Sequence, residues 1–412
     1  MFSHVLRIFK KDYLSITLGI KLVVFVIFLR SLGWGFVDPY WSIYLLQFSE
    51  HYTIVGLLTS LMSFGALLAV IPLMRLADKM KEGSIIEDGE FLYLVTIIGY
   101  IVAGMFRSLP LLVLTLFFNG IAQTFVVVGT EAYIRKHNGK GKAGPFAYYI
   151  AMDYLGWVIG MLIAAFTVQY YTLNSMFFFV MPGILASLFI LPRLRERGIR
   201  SILRGFKRYF HNGNDILSIF KDCKRLDHKM IFFLMLAFFD GLLRMFVFVF
   251  IPLFGLSINL DFRSLALLMA VMYFPFIFSW FFSEITDRMR KMNVIAVALF
   301  ISALSFICLF FIVQKAWIMV LAAMISFSLA IIRPVYNGAI TRLTPRRMLG
   351  EVTGLNNFIE RLGRIIGPIL TGVVADIYGI QIAFLLIAVI AFGLGAISLI
   401  LRGYDFIVSP AD

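Results

Sequence analysis

The sequence predicts an all-α membrane protein with twelve transmembrane helices in two pseudo-symmetric six-helix bundles. Three observations support this fold class. The chain is 61% hydrophobic and 15% charged, whereas soluble domains average about 45–50% and about 25%. It contains twelve long apolar runs, and its motifs repeat at about half its length. A soluble core of 412 residues would not bury so much apolar surface, so the bilayer is the expected solvent.

A membrane-spanning helix needs about 20 mostly apolar residues, and twelve runs approach this length. The third run is short, and its helix is expected to begin at residue 91 or a little earlier, within Glu87–Glu90. The predicted bundles are residues 1–192 and 229–412, joined by a basic cytoplasmic linker at 193–228. The predicted spans are 18–46, 53–76, 91–106, 110–133, 145–169, 173–192, 229–257, 262–284, 293–313, 316–341, 349–375 and 380–401.

Lysine and arginine are distributed unevenly between the predicted loops. With the N-terminus inside, and with basic residues at the very ends of spans counted in the adjoining loops, the inside segments hold 28 of the 37 basic residues, the outside loops hold 3, and 6 lie well within spans. Cytoplasmic loops of membrane proteins collect Lys and Arg, so the count predicts that both termini are cytoplasmic. The formal net charge of +14 is thereby explained without a nucleic-acid partner. We expect a multi-pass protein of the cell inner membrane or plasma membrane.

The motifs of the first half recur in the second half. Asp78 and Asp287 follow the second and eighth spans and lie 209 residues apart. Asp153–Gly160 in the fifth span and Glu360–Gly367 in the eleventh share the pattern acid-x-Leu-Gly-x3-Gly, at an offset of 207. Because six is an even number, both halves have the same orientation. Such a parallel repeat is typical of transporters that bind substrate near the bilayer midplane.

These motifs resemble those of the major facilitator superfamily over essentially the whole chain. The family motif after the second span contains Leu-Ala-Asp-Arg, and Leu76–Lys79 fits it, with Asp287 and Arg288 as a second copy. The segment Gly363–Gly372 resembles the Gly-Pro motif that drug antiporters of the family carry in their fifth span. The resemblance implies that spans one, four, seven and ten line a central cavity, and that three, six, nine and twelve face lipid.

Charged side chains within spans indicate functional positions, because each costs at least about 2.5–3.5 kcal/mol at the bilayer centre. The interiors of spans three, six, nine and twelve hold none, in agreement with the arrangement that the resemblance implies. Aromatic and amide side chains near the charges favour binding of an amphipathic solute. The predicted substrate cavity comprises Arg30, Trp34, Asp38, Asp240, Arg244, Arg333, Tyr336, Asn337 and Asn356.

Spacing along a helix predicts local ion pairs. Glu360 and Arg364 are four residues apart, as are Asp240 and Arg244, so the members of each pair share a helix face. Such pairs either line a polar cavity or only join helices. Arg30 and Arg333 lack an acidic residue within a turn, so each requires a partner on another helix or an anionic ligand.

Three carboxylates within spans are candidate proton carriers, because a carboxyl group in such a position can bind and release a proton near neutral pH. Asp153 has no basic residue within a turn, which makes it the least neutralised of the three in sequence. The proton-carrier candidates are Asp153, Asp240 and Glu360.

Charges at the predicted cytoplasmic ends of spans are candidates for gating. In the family that the chain resembles, the first-half motif aspartate binds the start of the eleventh span when the transporter is open outward, a role that falls to Asp78 here. The predicted gating residues are Asp78, Lys79, Glu131, Arg135, Asp287, Arg288 and Arg342.

The predicted function is secondary active transport of a small solute by alternating access, coupled to protons and directed to efflux of amphipathic compounds. Alternatives are an importer or facilitator of a small organic anion, and a lipid or lysolipid flippase on the same fold. A channel or membrane enzyme is disfavoured, since the five histidines lie outside the spans and Gly139–Gly144 lacks the Gly-Lys-Ser/Thr of a phosphate loop. We expect no cofactor, metal or nucleic acid, and a monomer whose partners are substrate, protons and lipid.

Overall fold

The computed structural model describes residues 16–77, 82–137, 144–194, 228–286, 289–344 and 349–401. Within these ranges every regular element is helical, and each of the twelve predicted spans is present as a helix. Ten of the helices in this part of the chain are long and apolar enough to cross a membrane. The predicted all-α twelve-helix fold class is therefore confirmed.

The described helices fall into two sets of six, on either side of residues 195–227. The first six are α1 (Leu18–Leu46), α2 (Tyr52–Ala77), α3 (Glu82–Phe106), α4 (Leu109–His137), α5 (Gly144–Thr167) and α6 (Ser175–Ile190). The second six are α7 (His228–Ser257), α8 (Phe262–Thr286), α9 (Lys291–Phe311), α10 (Lys315–Leu343), α11 (Leu349–Tyr378) and α12 (Ile380–Ile400).

Two of the long helices contain a 3-10 turn next to a proline. In α1 the turn is Asp38–Tyr40, with Pro39 at its second position. In α8 it is Phe274–Phe278, followed by a last α-helical segment, Ser279–Thr286. Proline has no backbone N–H and its ring collides with the preceding turn, so regular α-helical hydrogen bonding is interrupted there. Asp38 therefore lies at a break in α1 and not in a continuous helix.

Helix α3 begins earlier than the sequence predicted. It starts at Glu82, so its first turns contain the acidic residues that precede the predicted start at residue 91. Glu90 is fully buried. The expectation that span three holds no charge in its interior is therefore wrong. The physical reason is that Arg30 of α1 supplies a partner for Glu90, which lowers the cost of a carboxylate inside the bundle.

Contacts divide the chain into two compact units. The first unit is Met1–Phe48 with Leu61–Ile216, and the second is Ser49–Ser60 with Leu217–Asp412. The start of α2 is thus grouped with the second unit, although the rest of that helix belongs to the first. The predicted linker 193–228 lies almost wholly outside the described residues.

Close helix pairs recur in both units at the positions of the repeated Gly-x3-Gly motif. In the first unit α5 packs on α1, and a Cβ added to Gly160 would lie 2.1 Å from the carbonyl oxygen of Leu32. In the second unit α11 packs on α7, and a Cβ on Gly363 would lie 2.0 Å from the carbonyl oxygen of Phe238. Small residues let two backbones approach this closely within a membrane. The sequence repeat therefore encodes the same helix contact twice.

The beginning of α2 is fixed to α11 within the second unit. Both carboxylate oxygens of Asp376 accept hydrogen bonds from backbone N–H groups at the start of α2, those of Tyr52 and Thr53, each at 2.8 Å. The Ser60 hydroxyl donates to the Ile365 carbonyl at 2.6 Å. The two bonds to Asp376 satisfy N–H groups that a helix start otherwise leaves free, and the Ser60 bond adds a contact further along α2. We call them the α2–α11 clamp.

Candidate functional site

The first unit contains a buried charge cluster formed by Arg30, Glu90 and Asp153, which we call the first-unit cluster. The Arg30 guanidinium lies 3.4 Å from Glu90 Oε1, and the two side chains are only 8% and 0% exposed. The guanidinium also lies over the ring of Tyr93, 5.6 Å from its centroid. The partner that the sequence required for Arg30 on another helix is therefore Glu90 of α3.

Asp153 is the second carboxylate of the first-unit cluster. It is partly buried on α5, and the Ser31 hydroxyl of α1 donates a hydrogen bond to it. Arg30 is close enough to attract Asp153 as well as Glu90. Packing of α1 on α5 through their glycines brings these side chains together.

Aromatic side chains border the first-unit cluster. The ring of Trp34 lies 5.9 Å from that of Tyr93, 6.3 Å from that of Trp41 and 6.5 Å from that of Tyr100. Trp and Tyr side chains combine a large apolar ring with one N–H or O–H group. This part of the site is therefore suited to contact a solute with a flat apolar group.

The second unit contains a larger network, the second-unit cluster, formed by Asp240, Arg244, Arg333, Tyr336, Glu360 and Arg364. Its deepest part is an ion pair within α7, in which Arg244 Nε donates to Asp240 Oδ2 at 3.0 Å. The Tyr336 hydroxyl of α10 donates to the same oxygen at 3.2 Å. Arg244 also lies 4.8 Å from the ring centroid of Phe276. A pair so enclosed is well placed to join α7 to α10.

The remainder of the second-unit cluster is centred on Glu360. Arg333 of α10 donates to Glu360 Oε2 at 3.0 Å, and Arg364 donates to Oε1 at 2.6 Å. Glu360 is 5% exposed, whereas Arg333 and Arg364 are 36% and 25% exposed. One buried carboxylate thus holds two guanidinium groups that remain partly accessible. Arg333, like Arg30, has its acidic partner on a neighbouring helix.

Two amides lie in the same unit. Asn356 of α11 donates to the side-chain oxygen of Asn337 of α10 at 3.0 Å. The predicted cavity residues of the second unit thus lie on α7, α10 and α11. The cavity residues of the first unit, including Trp34 and Asp38, all lie on α1.

The predicted gating residues are only partly described. Asp78, Lys79, Asp287 and Arg288 lie outside the described residues. Glu131 of α4 is partly buried, and Arg135 of α4 and Arg342 of α10 are exposed.

The sequence did not single out Glu82. Lys136 of α4 forms a 2.9 Å ion pair with this residue at the start of α3.

Glu90 is the main site residue that sequence reasoning missed. The sequence contained a signal that could have found it. Residues 91–106 form too short a run to cross a bilayer, which needs about 20 residues, so the helix had to include earlier positions. Extending α3 toward the N-terminus brings Glu90 inside the span, where Arg30 needed a carboxylate.

The long apolar helices, with buried ion pairs inside them, define a multi-pass membrane protein. The sequence profile of the Major Facilitator Superfamily matches residues 23–367 and 233–407. The chain belongs to this family, and the resemblance seen in its motifs is confirmed.

Solved transporters share the fold at low sequence identity. A mutant of the nucleoside transporter NupG has a TM-score of 0.75, covering 93% of this chain and 100% of that chain at 14% identity. A POT family transporter in complex with 5-aminolevulinic acid has a TM-score of 0.71, covering 94% and 96% at 13% identity. No curated protein matches the chain by sequence. The chain is a secondary transporter.

Proposed function

We propose that this secondary transporter couples movement of a small solute to protons by alternating access. The observation that carries the proposal is the burial of carboxylates next to guanidinium groups within the spanning helices of both units, as for Glu90 and Glu360. Ionisable groups are expensive inside a membrane and are retained there mainly for binding and proton transfer. A carboxylate that alternately pairs with an arginine and binds a proton can couple proton transfer to a change in the helix contacts.

The solute that we propose first is an amphipathic compound that is exported. The rings around Trp34 support this choice, together with the Gly-Pro pattern of α11. A lipid or lysolipid flippase remains an alternative with the same preference for amphipathic cargo.

The second candidate is transport of a small organic anion by import or facilitation. It is favoured by the second-unit cluster, where three arginines accompany the carboxylates of Asp240 and Glu360. Arg333 and Arg364 are the partly exposed members and would bind the anionic group. Guanidinium groups bind carboxylates and phosphates through paired hydrogen bonds.

We propose that the protein is a monomer of the inner or plasma membrane with both termini in the cytoplasm. The asymmetric distribution of Lys and Arg supports this orientation. A green fluorescent protein fused to the C-terminus is expected to fluoresce, because it matures in the cytoplasm. A fusion that is inserted in the membrane but does not fluoresce would contradict a cytoplasmic C-terminus.

The transport test uses purified protein in proteoliposomes that contain a pH-sensitive dye. Nucleosides, short peptides, organic anions and amphipathic cations are added in turn, and internal pH is followed beside uptake of the labelled solute. We expect one class to move together with protons. Solute flux that leaves internal pH unchanged, and that does not respond to an imposed pH gradient, would contradict proton coupling and indicate a facilitator.

A matched pair of variants separates the two candidate substrates. Arg333→Gln is expected to raise KM about tenfold for an anion and to change little for an uncharged solute, since one charge-assisted contact is worth about 1.5 kcal/mol or more. Arg263→Gln, an exposed arginine at the start of α8, is the control. An equal effect of Arg333→Gln on charged and uncharged solutes would contradict anion binding there.

A further inference from the structure

We propose that Glu90 and Asp153 share a single exchangeable proton under the control of Arg30, which makes the first-unit cluster the proton-binding site. This inference rests on the proposed proton coupling and assigns it to particular atoms. It adds Glu90 to the candidates and makes Asp153 its partner. Asp240 and Glu360, the other proton-carrier candidates, are assigned to the arginine-rich network of the second unit.

The charges of the cluster support one proton. Arg30 is the cation that faces both carboxylates, so with Glu90 and Asp153 ionised the three groups carry one net negative charge. A net charge inside the membrane costs at least about 2.5–3.5 kcal/mol, and one bound proton removes it. A second proton would leave Arg30 without an ionised partner. The cluster is therefore neutral with one proton and charged with none or two.

The geometry of Glu90 provides a place for that proton. Its Oε1 atom faces Arg30 at 3.4 Å. Its Oε2 atom is buried and has no hydrogen-bond partner within the described part of the chain. Burying an ionised oxygen without a donor is costly, whereas protonation removes the charge. Oε2 is thus the atom at which Glu90 would accept the proton.

Asp153 provides the accessible end of the site. It is partly buried, in contrast to the fully buried Glu90, and Ser31 already donates a hydrogen bond to it. While Arg30 binds Glu90, as in this structure, the shared proton would be on Asp153. When Arg30 turns to Asp153, that residue loses its proton and Glu90 gains one at Oε2. The number of protons in the cluster stays at one, and its net charge stays at zero.

Other ionisable groups surround the site but do not replace this pair. Helix α6 brings no ionisable side chain between Ser175 and Ile190. On α1, Lys21 and Asp38 are more than two helical turns from Arg30. In the described part of the chain, the groups that face the cluster include Tyr93 of α3 and Tyr149 of α5, and Glu131 of α4 lies near Tyr149.

The test is infrared spectroscopy of the full-length protein in membranes, titrated with pH. The band measured is the carbonyl stretch of protonated carboxylic acids in a buried environment. Wild type is expected to show one such band. Glu90→Gln leaves Arg30 with Asp153 and Asp153→Asn leaves it with Glu90, so either variant alone is expected to abolish the whole band.

Two further variants sharpen the result. Arg30→Gln removes the cation, so both carboxylates are expected to be protonated and the band to double. Glu90→Asp keeps a carboxylate and is expected to restore the band, which guards against loss of signal through misfolding. Glu50→Gln, in an exposed loop, is the matched control and is expected to leave the band unchanged.

The outcomes distinguish this site from the wider function. If Glu90→Gln and Asp153→Asn each removed only part of the band, the two residues would titrate independently and the shared proton would be disproved. An unchanged band in Glu90→Gln, with proton-coupled transport intact, would overturn the site but leave proton coupling. The predicted bands together with solute flux that never moves protons would support the site and overturn the coupling.

Discussion

The two units carry opposite charge balances on the same helix scaffold. In each unit a Gly-x3-Gly helix packs closely on a partner, α5 on α1 and α11 on α7. The first-unit cluster places one arginine against two carboxylates. The second-unit cluster places three arginines, Arg244, Arg333 and Arg364, against two carboxylates. The repeated backbone contact is therefore independent of the charges built on it, and each unit is free to bind an ion of a different sign.

Loss of a carboxylate is the strongest test of this difference. Glu360→Gln leaves two guanidinium groups without their shared anion and is expected to lower the free energy of unfolding by about 3 kcal/mol. Asp153→Asn removes the excess carboxylate of the first unit, leaves the Arg30–Glu90 pair intact, and is expected to cost about 1 kcal/mol or less. Thermal unfolding in detergent measures both.

A double variant controls for the first prediction. Glu360→Gln combined with Arg364→Gln removes one cation along with the anion and is expected to recover part of the lost stability. Equal losses for Glu360→Gln and Asp153→Asn would contradict the opposite charge balance.

The shared scaffold can be tested through its glycines. Gly160→Ala and Gly363→Ala each place a Cβ about 2 Å from a backbone oxygen of the facing helix, so both are expected to cost about 1–3 kcal/mol. Gly393→Ala, where a Cβ meets no atom within 4 Å, is the control and is expected to be neutral or slightly stabilising. The melting temperatures of the three variants measure these losses of stability. A large loss in one unit and none in the other would show that the units are not equivalent scaffolds.

The helices α2 and α8, which occupy matching positions in the sequence repeat, also differ in how they begin. The start of α2 is capped by Asp376 of α11, whereas α8 follows Asp261, which accepts a hydrogen bond from its own Ser264. Asp376→Ala is expected to destabilise the protein by about 1 kcal/mol, as for the loss of other helix caps. Amide hydrogen exchange at Tyr52 and Thr53 should increase, and Glu50→Ala is the control. Unchanged exchange at these two amides would exclude a capping role.

The smallest change in stability is expected for substitution of Asp261. The Ser264 hydroxyl, with a further contribution from Lys315 at 3.6 Å, lowers the pKa of Asp261 below its usual value. A lowered pKa in the folded state means that the stabilisation is present above the unfolded pKa, about 3.9, and is lost as pH falls through the folded pKa. Because the side chain is exposed, Asp261→Asn should cost only about 0.5 kcal/mol at neutral pH. The difference in melting temperature from wild type should vanish in strong acid, and a difference that grew there would contradict the assigned sign.

The helices and the local pairs could be predicted from sequence, but the pairs between helices could not. Apolar length located all twelve spans, and spacing within one helix identified Glu360 with Arg364. The contact of Arg30 with Glu90 depends on the rotation of α1 relative to α3, which no spacing along the chain defines. The start of α3 was misplaced because acidic residues lower local hydropathy even where an arginine neutralises them.

The α2–α11 clamp has a consequence for how the protein is made. Asp376 lies 324 residues after Tyr52, so α2 leaves the ribosome long before its capping carboxylate is synthesised. The membrane-insertion machinery must release α2 with its first turn uncapped, and the early half of the chain must wait for the end of translation to complete one of its own helices. Truncated or stalled chains would expose that turn, and quality-control proteases that recognise frayed helices would have a means of telling unfinished chains from finished ones.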